Sequence, residues 1–81
     1  MESVMIEMAE IYVPAKRRKL LDADKVAALA ESILEDGMKI PIQVRRGNER
    51  YVLIEGLHRL EASKALGETA IDALIVAARR H

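Results

Sequence analysis

The sequence predicts an α+β fold in the order β-α-β-β-α-β, with its helices packed on a mixed sheet. Three patterns lead there. Val4, Ile6 and Met8 alternate with polar neighbours, as in a half-buried strand. Val26, Leu29, Ala30, Ile33 and Leu34 fall at i, i+3, i+4, i+7 and i+8, the stripe of an amphipathic helix. Gly47-Asn48 separates two short strand-like runs and marks a hairpin. A chain of 81 residues has room for one small core, so residues 1–81 form a single domain of modest stability.

The first strand runs from Val4 to Val13, with a change of phase at Ile11 that reads as a bulge or as two short segments. Pro14 ends it, because proline has no donor for a sheet ladder. Ala15 to Leu20 has no periodicity and reads as a basic loop. Asp22 is placed to cap the first helix by accepting from the exposed amides of its first turn. Gly37 supplies the left-handed stop. Lys25 and Ser32 lie two turns apart and share an edge of that helix. Ile40 to Val44 is a short strand with Pro41 at its start or on an edge, and Arg50 to Ile54 is the returning strand.

The second helix ends near Leu66-Gly67, and Ala62, Ala65, Leu66 and His58 share one face of it that suits close approach to a sheet. Leu57 and Leu60 point elsewhere, as a second packing contact or as an exposed surface for a partner. Ile71 to Val76 is the last strand and Ala77 to His81 a tail.

Composition excludes several functions. There is no cysteine, hence no disulfide framework, thiolate metal site or thiol chemistry. Two histidines, one of them terminal, make a histidine metal site an unpromising reading. Tyr12 and Tyr51 are the only aromatic residues, too few for a single-strand binder built on stacking platforms. No apolar run approaches a membrane span and the N-terminus lacks the basic start of a signal peptide, so the expected setting is cytoplasmic with no membrane partner. Thirteen basic residues balance thirteen acidic ones, but Lys16-Arg17-Arg18-Lys19, the group Arg45, Arg46 and Arg50, and Arg79-Arg80 are local concentrations of positive charge.

The chemistry is concentrated in Ile54-Glu55-Gly56-Leu57-His58-Arg59. An apolar strand meets an acid, then a glycine, then a His-Arg pair opening a helix. Glycine lets backbone approach a ligand, and a helix start offers free N–H groups to an anion. Arginine can fork onto phosphate. The stretch therefore reads as a phosphate cradle. The same residues also read as an ordinary strand-turn-helix with His58 and Arg59 facing solvent. Glu55 could hold a metal-bound water or a ribose, or serve the helix start. Lys25 has the wrong sign for the first turn of its helix, which an anionic ligand would offset.

The order of elements, with Leu21-Asp22, Ser32-Ile33, Gly37, Pro41-Ile42-Gln43-Val44 and Gly56-Leu57-His58-Arg59, resembles the N-terminal domain of ParB partition proteins and its relative sulfiredoxin. The resemblance covers roughly residues 5 to 76. It implies that Gly56, His58 and Arg59 sit where ParB proteins contact the triphosphate of CTP. Sulfiredoxins carry Gly-Cys-His-Arg here, with His and Arg on the phosphates of ATP. They also use a lysine and a hydroxyl residue that Lys25 and Ser32 match, with Ala28 at a further serine position. Arg17 and Arg18 resemble the arginine-bearing segment before the first helix in both relatives. Free-serine kinases carry Asp-Gly-His-His-Arg here, which Glu55-Gly56-Leu57-His58-Arg59 matches at the acid, the glycine and the final His-Arg.

Leu57 stands in place of the sulfiredoxin cysteine and cannot attack a sulfinic phosphate, which excludes that activity. ParB motifs usually have Glu-Arg-Arg after the glycine, and ParB reads DNA and closes its clamp through helical domains beyond this one. The resemblance thus implies a binder of ATP, ADP or CTP, with Mg²⁺ as companion. Its phosphate-binding set is Gly56, Leu57, His58, Arg59, Lys25, Ser32, Arg18 and Arg17, and Glu55 is the candidate for catalysis of NTP hydrolysis or phosphotransfer. Two competing readings are a DNA-binding or nuclease accessory module using Lys16 to Lys19 with Arg45, Arg46 and Arg50, and a protein-interaction or antitoxin-like module using Leu57 and Leu60, with a protein partner or a homodimer as the expected assembly.

Overall fold

A computed structural model describes residues 2–77. The expected α+β order is present with one short helix added. It comprises β1 (Val4–Glu7), a 3₁₀ turn (Met8–Glu10), β2 (Ile11–Tyr12), α1 (Ala15–Arg18), α2 (Ala23–Asp36), β3 (Ile42–Arg46), β4 (Tyr51–Glu55), α3 (Leu57–Ala65) and β5 (Ala70–Ile75). The five strands form one mixed sheet in the order β1-β5-β3-β4-β2. β1 lies antiparallel to β5, β5 parallel to β3, β3 antiparallel to β4, and β4 parallel to β2.

The expected strand from Val4 to Val13 is therefore two strands, and they occupy opposite edges of the sheet. Only the turn Met8–Glu10 joins them. Three residues of 3₁₀ helix advance roughly 6 Å, so the sheet must curl until its two edges nearly meet. The Met8 N–H donates to the Thr69 carbonyl (2.8 Å) and pins the turn beside the start of β5.

The inside of the curl is the core. Ile6, Met8, Ile11, Val13, Ile42, Val44, Leu53, Ile71 and Ala73 line it, and Leu57 and Leu60 of α3 fill it. This corrects the helix face expected from the sequence: Leu57 and Leu60 are buried with Ala62 and Ser63, whereas Ala65 is exposed. A partner surface built on Leu57 and Leu60 is thereby excluded.

α2 packs on α3 rather than on the sheet. Its stripe is accordingly only half-covered, with Val26, Leu29, Ala30 and Ile33 half-buried and Leu34 left 75% exposed. Its ends follow the sequence: Asp22 accepts from the N–H groups of Asp24 (2.9 Å) and Lys25 (3.4 Å), and Gly37 stops the helix at φ +77°.

The basic segment expected as loop contains the single turn α1, whose Arg17 and Arg18 N–H groups donate to the Pro14 carbonyl. Pro41 precedes β3, which begins two residues later than expected. The hairpin connection is Gly47 to Arg50, closed by the Gly47 N–H on the Arg50 carbonyl (2.8 Å). The end of the expected tail, with Arg79 and Arg80, lies outside the described residues. No helix among the described residues is long and apolar enough to cross a membrane.

Candidate functional site

The passage from β4 to α3 is made at Gly56, which has φ +104°. A Cβ there would stand 2.6 Å from Cγ2 of Ile42 and 3.1 Å from an Arg59 guanidinium nitrogen. Conformation and space both demand glycine. The result is bare backbone laid across β3 at the start of a nine-residue helix. The ladder of α3 begins with the Leu60 N–H on the Gly56 carbonyl (2.9 Å). The N–H groups of Leu57, His58 and Arg59 therefore have no carbonyl within the helix and point out of its positive end.

A cavity of about 500 Å³ opens onto this helix start. Gly56, Leu57, His58 and Arg59 form one wall, Lys25, Ala28 and Leu29 of α2 face them, and Arg17, Leu20 and Glu55 complete the rim. Three groups remote in sequence thus meet: Arg17 from α1, Lys25 from α2 and the His58-Arg59 pair from α3. Arg17, Lys25 and Arg59 carry positive charge, and Glu55 is the acid among the lining residues.

Arg59 is half-buried, and its Nε is buried without a hydrogen-bond partner. A buried guanidinium donor left open is costly unless a ligand or water satisfies it. Arg59 also lines an adjoining cavity of about 190 Å³ with Leu29, Ser32, Ile33 and the segment Gly37 to Ile40. Ser63, buried on α3, donates from its hydroxyl to the Met38 sulfur (3.9 Å) and holds that segment down.

His58 is oriented differently from the sequence expectation. Its Nε2 accepts the backbone N–H of Asp22 (3.0 Å), joining the start of α3 to the N-cap of α2. The ring is therefore neutral, with its remaining proton on Nδ1. Nε2 is occupied, which leaves Nδ1–H as the donor available to a ligand.

The structure thus brings Gly56, His58, Arg59, Lys25, Arg17 and Glu55 around one cavity. Leu57 contributes backbone only, since its side chain is buried in the core. Ser32 is in the adjoining cavity rather than beside Lys25, and exposed Arg18 lines neither. The wall residues Leu20, Leu29 and Met38 have no polar signature by which sequence could single them out. The His58–Asp22 bond spans 36 residues and is equally silent in the sequence.

Among the described residues no group of three or more His, Cys, Asp or Glu side chains could hold a metal ion.

A family model described as the ParB N-terminal domain matches residues 1–81. The chain belongs to the ParB N-terminal domain family. It is 43% identical over 75 residues to a probable chromosome-partitioning protein ParB of Campylobacter jejuni, covering 91% of this chain and 27% of that protein. This ParB-type domain therefore spans about a quarter of the length of that relative.

Among solved structures it resembles sulfiredoxin from Arabidopsis thaliana, with TM-score 0.85, 31% identity, and coverage of 96% of this chain and 88% of that one. It also matches a C-terminally truncated ParB from Caulobacter crescentus complexed with CTP-γ-S, with TM-score 0.81, 20% identity, and coverage of 98% and 46%. A free serine kinase in complex with ADP matches with TM-score 0.81, 23% identity, and coverage of 94% and 31%. The ParB/sulfiredoxin-like superfamily is thus the setting of this domain.

Proposed function

We propose that this domain binds a nucleoside diphosphate or triphosphate, with its phosphates in the cavity at the start of α3. The observation that carries the reading is the buried Arg59 Nε, a donor without a partner where three helix-start amides converge. Each element has a distinct part. The Gly56 backbone permits close approach, and the amides of Leu57, His58 and Arg59 receive phosphate oxygens. Arg59 forks onto the same oxygens. Lys25 closes from α2 and Arg17 from α1. Arg18 is near enough in the chain to follow Arg17 in a closed state. The adjoining cavity, with Ser32 and the Gly37 to Ile40 segment, takes the nucleoside.

Mg²⁺ fits this site as an ion held by the phosphates, with Glu55 as the carboxylate among the residues lining the cavity. It commonly binds through one or two carboxylates plus substrate phosphates. When bound, it would neutralise phosphate charge. Hydrolysis or transfer, where it occurs, rests on positioning and charge neutralisation. No cysteine, serine or threonine lines the main cavity, and Glu55 is the side chain available to orient water. CTP and ATP are the first ligands to compare, because ParB with CTP-γ-S and the serine kinase with ADP share this fold. Calorimetric titration with ATP, ADP, CTP and GTP, with and without Mg²⁺, tests the reading. Saturable binding to at least one is the expected result, and silence from all four at millimolar ligand overturns it.

A further inference from the structure

α2 is anchored by hydrogen bonds at its two ends rather than by burial along its length. None of its fourteen residues is buried, and α3 is the element it chiefly packs on. Past its C-terminal end, the Ser63 hydroxyl of α3 donates to the Met38 sulfur, next to the Gly37 stop. At its start, Nε2 of His58 accepts the N–H of Asp22, the N-cap residue (3.0 Å). Among the described residues this is the one hydrogen bond joining the start of α2 to a residue remote in the chain. Little apolar burial supports it, since Leu20 and Leu21, which lead into the N-cap, are 69% and 44% exposed. What the bond holds in place is Lys25, three residues past the N-cap, which lines the cavity opposite His58 and Arg59.

The bond exists in only one protonation state of the ring. A neutral imidazole accepts at Nε2, whereas an imidazolium carries a proton on both nitrogens and accepts at neither. Protonation sets Nε2–H against the Asp22 N–H, donor against donor, at the positive end of a fourteen-residue helix.

The charged groups facing the ring come from every element around it. Arg17 of α1, Lys25 of α2 and Arg59 of α3 line the cavity with it, against Glu55 at the end of β4. Oδ1 of Asp22 already accepts the N–H groups of Asp24 and Lys25, and Glu61, one turn along α3, pairs with Lys64. An imidazolium at this place stands among three cations and one acid of the cavity wall. Histidine is also the side chain whose charge ordinarily changes between about pH 5 and 8.

We propose that His58 is a proton-sensitive positioning residue. Neutral, it fixes the start of α2 on α3 and holds Lys25 over the cavity. Protonated, it releases both, so phosphate binding weakens as the solution is acidified. The consequence for binding rests on the nucleotide reading, whereas the tie itself does not.

His58→Gln is the informative variant, because the glutamine carbonyl oxygen can accept the Asp22 N–H and does not titrate. Melts of the ligand-free chain are compared from about pH 8 to about pH 5. Stability from the tie is present where the ring is neutral and lost in acid. Wild type is therefore expected to lose about 2–10 °C of Tm more than His58→Gln over that range. His58→Ala, which has no acceptor, should likewise lack this extra loss, and it is the reference if glutamine perturbs the fold. ¹⁵N NMR of the imidazoles, with His58 assigned by its absence from the variants, should show a bare Nε2 and a protonated Nδ1 at neutral pH.

Titration with ATP and CTP at each pH reads the effect on the site. The phosphates titrate in the same range, so each protein is compared with itself. The ratio of Kd in acid to Kd at neutral pH should be about 2- to 12-fold larger in wild type than in His58→Gln. An equal or smaller acid loss of Tm in wild type overturns the inference, as does a proton on Nε2 at neutral pH. So does a Kd ratio in wild type equal to or below that of the variant, which would mean that the imidazolium serves the phosphates directly. A tie that responds to pH in the melts, with no nucleotide bound at any pH, overturns the proposed ligand instead, so the two failures are told apart.

Discussion

The Nε2 of His58 accepts the backbone N–H of Asp22 at 3.0 Å, so the first turn of α3 is tied to the N-cap of α2. Two walls of the candidate site are thus one mechanical unit, with Lys25 just beyond the tie on α2 and Arg59 just beyond it on α3. A neutral hydrogen bond of this kind contributes about 0.5–1.5 kcal/mol net. His58→Ala is therefore expected to lower Tm by about 2–10 °C in a domain of this size. It should also reduce nucleotide affinity, because Lys25 is no longer held over the cavity. Differential scanning fluorimetry with and without nucleotide reads both effects. An unchanged Tm would mean that the tie is absent in solution.

Lys25 should show opposite effects on stability and binding. It sits in the first turn of α2, where positive charge opposes the helix dipole by about 0.3–1 kcal/mol at low salt. Lys25→Gln is expected to stabilise the ligand-free domain by up to that amount and to weaken nucleotide binding. Thermal melts and titrations on the same preparation check the pair of signs. Equal or tighter nucleotide binding would remove Lys25 from the site.

Much of this was legible in sequence because it is local. Asp22 and Gly37 bounded α2 correctly, since a cap and a left-handed stop act within a few residues. Gly56 and Arg59 were legible for the same reason: glycine and helix start lie next to each other in the chain. What failed to show was tertiary. The split of the first strand depends on which edge each half joins, and Met8 reaches Thr69 for its hydrogen bond. α3 carries two apolar edges, and only the curled sheet decides that Leu57 and Leu60 are enclosed while Ala65 faces out. Lys25 and Ser32 share a helix edge as expected, but seven residues at 1.5 Å place them about 10 Å apart. They consequently line different cavities.

Core and surface leucines should separate sharply. Leu60 is 0% exposed and Leu34 75% exposed. Leu60→Ala is expected to cost about 2–5 kcal/mol, a large fraction of the stability of so small a domain. Leu34→Ala should stay within about 0.5 kcal/mol. Urea unfolding of the two variants measures this, and comparable losses would contradict the packing of α3 inside the curl.

Gly56→Ala should be damaging on two counts. The residue would have to hold φ +104° and place a Cβ 2.6 Å from Cγ2 of Ile42. A destabilisation above about 1 kcal/mol is expected, since alanine is incompatible with that backbone. Nucleotide binding should fall with it as the helix start shifts off β3. A variant as stable as wild type and as tight for nucleotide would show that bare backbone at this position is dispensable.

The central claim rests on Arg59, whose buried Nε has no protein partner. Isothermal titration of CTP and ATP into wild type and Arg59→Ala, with the fold of each verified by its melt, tests it most directly. Removing a charged donor from a phosphate is expected to cost about 1.5–3 kcal/mol, or roughly 10- to 150-fold in Kd. Saturable wild-type binding with that loss in a folded variant is the predicted result. Equal affinity in the two proteins, or no binding by wild type, would contradict the account.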